Sequence, residues 1–259
     1  MNQKIKDNLS IYIPVYNEEK NIELTLSKLE SFKKIFLIDS NSKDETINIA
    51  KKYNNINIIN TNLKSYIEKL NFAIKHCKED YIMILDADYV LNEVLVKNIN
   101  NLYVNQDIEG YFCKFYFLIN KTIIREKIYP SKVFLFKNKY QFSEIGHKES
   151  LNINYEKLKC INGEIYHNDK KDFNYWIKSQ VKIAKKESDF IIKSNTKNLK
   201  EFVRKIPFLS IILAVLYFGV LRRVLFYFPN GYIFLFHRIV YETILNYFIL
   251  KKRLFFFRR

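Results

Sequence analysis

An α/β fold is what this sequence predicts: a mostly parallel, Rossmann-like sheet flanked by helices, with a helical extension at the C-terminus. Three observations predict it. Strand-like and helix-like segments alternate over about the first hundred residues, the pattern of a parallel sheet with helices on its faces. Short apolar runs end abruptly in polar or acidic residues, as in "YIMILDADYV" (Tyr81 to Val90). The last sixty or so residues change texture, to uncharged aromatic-rich runs broken by arginines.

Each element has its own signal. "SIYIPVYNEE" reads as a short buried strand ending at Pro14, and Ile22, Leu26 and Leu29 then recur at helical spacing. "KIFLIDSNSKDETINIAKKY" repeats the plan. Ile35 to Ile38 form a strand, Asp39 lies at its end, and "SKDE" (Ser42 to Glu45) has the form of a capping box for the next helix. "NINIIN" is a third strand. Ser65 to Cys77 reads as a helix with Ile67, Leu70 and Ile74 on one face. "YIMIL" is a fourth strand, and Leu91 to Leu102 another helix. From about Gly110, "GYFCKFYFLIN" and "KVFLFKNKYQF" read as strands and loops, and helices resume near Asp172.

The composition narrows the class. A chain of 259 residues suffices for one large domain, or a domain with an appendage, and 48% hydrophobic content excludes general disorder. The net charge of +16, from 43 basic and 27 acidic residues, suits a polyanionic partner or simply a solvated lysine-rich surface. No nucleic-acid partner is expected, because the lysines are spread along the chain and no recognition motif occurs. The three cysteines form no C-x-x-C, so a reducing, cytoplasmic compartment fits better than a disulfide framework. The first ten residues lack the apolar core of a signal peptide.

The C-terminal region has a different logic. "IPFLSIILAVLYFGVL" (Ile206 to Leu221) is uncharged, Arg222 and Arg223 interrupt, and "VLFYFPNGYIFLF" is uncharged again. Each run is shorter than the roughly 20 residues of a spanning helix. Interfacial or re-entrant helices hinged at "FPNG" (Phe228 to Gly231) are therefore expected, attached peripherally or monotopically to an anionic membrane surface. The alternative use of the same runs is a buried helical hairpin or a homodimer interface.

Ligands of parallel sheets bind beyond the carboxyl ends of the strands. Tyr16, Asn17, Asp39, Asp86 and Asp88 fall there. Asp86 and Asp88 would repel unless a cation sits between them or solvent screens them. The sequence has five glycines, no G-x-x-x-x-G-K-[ST] and no G-x-G-x-x-G, so nucleotide phosphates would need another neutraliser. A divalent ion on the two aspartates would serve, and oxygen ligands suit Mg²⁺ or Mn²⁺. A surface loop or helix cap is the structural alternative for a bare D-x-D.

The ordered set "SIYIPVYNEEKNI", "IFLIDSNSKDET", "KLNFAI" and "YIMILDADYV", over about residues 9 to 100, resembles the nucleotide-sugar-binding half of family-two glycosyltransferases. Farther on, "IYPSKVFLF", "GHKESL" and "GEIYH" resemble the branch that glycosylates lipopolysaccharide cores and other bacterial surface glycans. The resemblance implies a GT-A fold and an inverting hexosyltransferase using a UDP-sugar and a divalent metal at the cytoplasmic membrane face. It implies roles as well. Tyr16 stacks on the base, Asp39 accepts from the uracil imide, and Pro14, Asn17 and Glu18 shape that pocket. Asp86 lies near ribose and metal, Asp88 and His167 bind the metal, and Lys69 reaches the diphosphate. Asn71 caps or braces its helix. Glu149, or else Glu144, is the base that takes the acceptor proton, and His147 orients it or meets a donor phosphate; His76 and His237 stay outside the chemistry. The implied division is 1–105 for the donor, 106–200 for acceptor and catalysis, and 201–259 for membrane association. The competing readings are a nucleotidyltransferase and a membrane-associated nucleotide-sugar-binding protein without activity.

Overall fold

The computed structural model describes residues 3–126, 128, 131–145, 148–193, 199–206 and 208–256. His147 lies outside the described residues. The chain forms two compact units, one of Met1–Leu118, Tyr129–Ser143 and Glu149–Lys170, the other of Ile119–Ile128, Glu144–Lys148 and Lys171–Arg259.

The first unit is built on β1 (Leu9–Val15), buried along its whole length. It pairs in parallel with β2 (Ile35–Asp39) on one side and β4 (Tyr81–Ile84) on the other, and β3 (Ile56–Asn60) extends the parallel set beyond β2. The sheet continues through β5 (Tyr89–Leu91), β6 (Gly110–Ile119), β8 (Val133–Lys137) and β11 (Leu158–His167), in the order β3-β2-β1-β4-β8-β6-β11-β5. β8 runs antiparallel to β4 and β6, and β5 antiparallel to β11. β7 (Thr122–Ile124) belongs to the second unit, and β9 (Phe142–Ile145) pairs with β10 (Lys148–Leu151).

Alternate strand residues face opposite sides, and both sides here are apolar. Ile11, Ile13 and Val15 pack with Leu26 of α1 (Ile22–Ser27) and with Leu95 and Ile99 of α4 (Glu93–Asn100). Tyr12 on the other face packs with Ile82, Ile84 and Phe136 and with Leu70 and Ala73 of α3 (Tyr66–His76). A one-residue slip would exchange these sets between two filled faces, leaving voids in one and overlaps in the other at about 1–3 kcal/mol per misfit side chain, so packing fixes the register. Pro14 is tolerated in this central strand for a local reason. Ile11 gives its N–H to Lys34 on the β2 side. The alternation turns Pro14 toward β4, beyond the last β1–β4 pair at Tyr12 and Ile84, where no ladder bond is lost.

Two sequence expectations are corrected. "SKDE" does not form a capping box. The helix α2 (Thr46–Ala50) has Glu45 at its N-cap with no side-chain bond, because the Ser42 hydroxyl is drawn to Asp39 and Asp44 accepts from Thr46 instead. The box forms at α3, between Ser65 and Glu68. The helix expected from Leu91 begins two residues later. Tyr89–Leu91 is strand β5, and Asn92 caps α4 by accepting from the Leu95 N–H at 2.9 Å. Gly163, at φ 135°, lies against Leu95 so closely that a Cβ would stand 2.5 Å from the Leu95 Cβ.

The second unit is helical. It holds α5 (Phe173–Lys193), α6 (Leu199–Lys205), α7 (Leu209–Ala214), a π-helical stretch at Val215–Leu221 and α8 (Asn230–Phe256). Ala184 and Ile191 of α5 pack with Tyr241, Leu245 and Ile249 of α8. Buried Arg204 donates to Glu187 at 2.9 Å and to Glu242 at 2.7 Å, and Arg238 also donates to Glu242 at 2.6 Å. The runs expected to stay short of a spanning length do not both do so. "FPNG" opens one long helix rather than hinging two short ones, and Asn230–Leu254 is long and apolar enough to cross a membrane by length and composition.

Gly163→Ala should lower stability by about 1–3 kcal/mol from backbone strain alone, with the overlap at Leu95 adding to it. Urea denaturation followed by circular dichroism reads this as a fall in the midpoint at unchanged slope.

Candidate active site

The loops after β1 and β2 make the first part of the site. Past β1, Asn17 adopts the left-handed conformation at φ 55°, which asparagine tolerates better than most residues. This lets its N–H reach the Ser42 Oγ at 3.0 Å while its side-chain oxygen accepts the Lys43 N–H at 2.8 Å. The Glu18 N–H donates to Thr46 Oγ1 at 2.7 Å. The loop after β1 is thereby latched to the loop after β2. Asp39 is buried, and its Oδ1 takes the Ser42 hydroxyl at 2.6 Å while both its oxygens take the Ser42 N–H. Each carboxylate oxygen has two acceptor sites, so Oδ2 keeps capacity for a further donor. Tyr16, next to Asn17 in this loop, presents a half-exposed ring. Lys69 of α3 is buried; burial lowers its pKa, the carboxylates of Asp39 and Glu18 oppose that, and the net direction is down.

The end of β4 makes the second part. All three carbonyls of Asp86-Ala87-Asp88 are claimed. Asp86 O accepts the Tyr89 N–H at 3.0 Å, Ala87 O the Thr25 hydroxyl at 2.7 Å, and Asp88 O the Asn168 N–H at 2.9 Å. The turn is therefore fixed before anything binds. Antiparallel pairing of β11 with β5 sets His167 opposite Tyr89, and the His167 Nε2 stands 3.1 Å from Asp88 Oδ2. Burial pulls the His167 pKa down, but Asp88 outweighs it and the net direction is up. Asp86 Oδ1 accepts from the Tyr66 hydroxyl. Burial, reinforced by Asp86, pushes the phenols of Tyr66 and Tyr89 well above their ordinary range, so both act as neutral donors at physiological pH.

Lys132 joins the acidic groups. Its ammonium donates to Glu149 at 3.0 Å and to the Tyr89 hydroxyl at 2.9 Å, and lies 4.0 Å from Asp86 Oδ2. Asp86, Glu149, Tyr89 and Lys132 are thus one connected group, with Asp88 and His167 alongside. Glu144, by contrast, pairs with Lys186 at 3.0 Å. His76 stacks on Phe72, and His237 on Trp176. Asn71 braces a strand rather than capping its helix, exchanging two hydrogen bonds with the backbone of Phe142 at 3.0 and 2.8 Å.

A cation fits one place in this arrangement. Asp88 Oδ1 is buried with no hydrogen-bond partner, and a buried unsatisfied acceptor costs about 1–3 kcal/mol or more when charged. No three His, Cys, Asp or Glu side chains among the described residues converge as a ready-made cage. Mg²⁺ does not require one, since it keeps water and substrate phosphate as ligands.

Lys132, Tyr66 and Tyr89 were not anticipated as site residues. Lys132 is the only cation in the "IYPSKVFLF" run, a weak hint, and no spacing rule joins it to Asp86. The two tyrosines gave no sequence signal beyond their nearness to Ser65 and Asp88.

The family model for glycosyl transferase family 2 matches residues 10–158. Among curated proteins, the chain is 27% identical over 112 residues to an uncharacterized glycosyltransferase of Rickettsia bellii, covering 43% of this chain and 38% of that one. It is 28% identical over 100 residues to the poly(ribitol-phosphate) beta-N-acetylglucosaminyltransferase TarS of Staphylococcus aureus, covering 34% and 18% respectively. These matches span well under half the length of the curated relatives. Among solved structures, S. aureus TarS 1–349 in complex with UDP-GlcNAc aligns over 95% of this chain and 91% of that one, at 14% identity and TM-score 0.47.

In the metal-free chain, the His167 ring should titrate above 6.5, its ordinary value. Asp88→Asn removes the largest opposing charge and leaves burial opposed only by Asp169 and Asp86, so the pKa should fall. An NMR titration of the ring protons measures both.

Proposed function

The chain belongs to glycosyl transferase family 2, and from this premise we propose that it moves a hexose from a UDP-sugar to a lipopolysaccharide, lipid-linked or other surface-glycan acceptor, with inversion and with Mg²⁺ or Mn²⁺. The carrying observation is that the turn after β4 holds an unpartnered, buried Asp88 Oδ1 and, through Asp86, lies 4.0 Å from the Lys132–Glu149 ion pair. One part of that site wants a cation, and the other offers a carboxylate for a proton.

In this reading Tyr16 stacks on uracil and Asp39 Oδ2 accepts from its imide N–H. Pro14, Asn17 and Glu18 hold the pocket's shape, and Lys69, beside Asp39 and Glu18, reaches the diphosphate. Asp88 and His167 hold the metal, with Asp86 toward ribose and metal. When bound, the cation neutralises the diphosphate and eases its departure. Glu149 takes the proton of the acceptor hydroxyl. As that oxygen bonds to the anomeric carbon, the bond from that carbon to the diphosphate oxygen breaks on the opposite face. Lys132 orients Glu149 and brings positive charge close to where the leaving group gains negative charge.

The donor assignment draws support from a TarS structure solved with UDP-GlcNAc. TarS is named for a poly(ribitol-phosphate) acceptor, and a polyanionic or lipid-anchored acceptor suits a chain of net charge +16. Residues 1–105 hold the donor, 106–200 supply the acceptor side and the base, and 201–259 meet an anionic membrane at the cytoplasmic face.

Asp88→Ala should abolish transfer from UDP-sugars while leaving the thermal melt intact, and EDTA should do the same reversibly. Full activity in chelator would remove the metal from this reading. Glu149→Gln should slow transfer about a hundredfold or more with UDP-sugar binding retained. If Glu144→Gln shows that pattern instead, the base is Glu144.

A further inference from the structure

The reaction leaves the surface of the helical unit unused, and that surface is apolar. Ile212, Leu216 and Val220 meet solvent at successive four-residue steps. Beyond them Leu221 is 73% exposed, Phe226 83% and Phe228 78%, far more than an aromatic ring gains from in water. On α8, Tyr232, Phe236, Tyr247 and Leu254 continue as a single exposed stripe.

Charge identifies the occupant. From Ile206 to the end of the chain the only acidic residue is Glu242. It is buried and bonded to both Arg204 and Arg238. Every side-chain charge that the described residues of this stretch present to solvent is therefore positive. Arg222 and Arg223 sit inside the apolar surface, with Arg222 hydrogen-bonded to the Tyr217 hydroxyl and lying over its ring at 5.0 Å. Protruding aromatic rings interleaved with cations, with Glu126 the acid beside Arg223, Phe226 and Tyr227, complement an anionic lipid surface.

The polar residues of α8 decide how the lipid is met. Arg238, Glu242 and Asn246 recur at four-residue steps along the helix. Glu242 holds two arginines, and Asn246 donates to the Ser210 hydroxyl at 2.8 Å and accepts the Phe208 N–H at 3.1 Å. A spanning α8 would have to give up this network and carry Glu242 into hydrocarbon. We propose that the helical unit docks monotopically on an anionic bilayer, with the Leu221–Tyr232 turn as the inserted edge and α8 kept packed within the unit. The proposal rests on the membrane contact of the reading above and not on its donor chemistry.

The test is flotation of the full chain with vesicles of about one-third phosphatidylglycerol against pure phosphatidylcholine, with UDP binding as the control for folding. The chain should float with the anionic vesicles only. Phe226→Ala with Phe228→Ala should lower the bound fraction about tenfold or more, and Arg223→Gln, an exposed position, should steepen its loss with salt. Phe228→Trp should be quenched by lipids brominated near the headgroup and not by those brominated near the chain end. UDP binding should be unchanged in each variant. If the double variant does not fold, Arg223→Gln and Phe228→Trp decide. Deep quenching would overturn the proposal in favour of a spanning helix. A chain that ignores both vesicles and runs as a dimer split by the Phe226 and Phe228 changes would overturn it in favour of a second copy. Loss of UDP binding with flotation intact would count against the donor site and leave the docking surface standing.

Discussion

The site depends on a short turn whose backbone has no freedom left. Each carbonyl of Asp86-Ala87-Asp88 accepts a hydrogen bond from a different part of the fold: the start of β5, helix α1, and the residue that follows β11. The Thr25 bond is wholly buried, where losing a partner costs more than the bond itself is worth. Side chains on such a turn keep their direction without help from a ligand. That is preorganisation in the electrostatic sense: Asp86 is held toward Tyr66 and Lys132, and Asp88 toward His167.

Charge is distributed differently in the two units. In the first, acids collect at strand ends and are balanced by partly exposed Lys132 and by His167. In the second, Glu187, Arg204, Glu242 and Arg238 lie inside the helices. Buried ion pairs of this kind add little net stability over apolar packing, but removing one member typically costs about 3–5 kcal/mol. They join α5, α6 and α8 through one buried network.

The strands and their polar ends were legible because a buried strand reads as an unbroken apolar run, and Asp39, Asp86 and Asp88 break such runs. Helix α3 was legible from its 3.6-residue period. The capping box was assigned to the wrong serine because Ser42 and Ser65 both stand three residues before a glutamate; Asp39 decides between them through a local bond to Ser42 that the capping-box pattern does not include. Lys132 was missed because its contacts are tertiary. Its partners Asp86 and Glu149 lie 46 positions before it and 17 after it, brought together only because β8 runs antiparallel beside β4. The length of α8 was missed because a charge inside an apolar run reads as an end, whereas Arg238 and Glu242 neutralise each other one turn apart.

Helix α3 has a further consequence. It sends the Tyr66 hydroxyl to Asp86, buries Lys69 within the influence of Asp39 and Glu18, and ties Asn71 to the backbone of Phe142. These residues leave the helix in three directions. An inserted residue turns everything after it by about 100°. One codon gained or lost within α3 would therefore misdirect these groups together. Surface loops of this chain can absorb a change of length, but α3 can absorb only substitution.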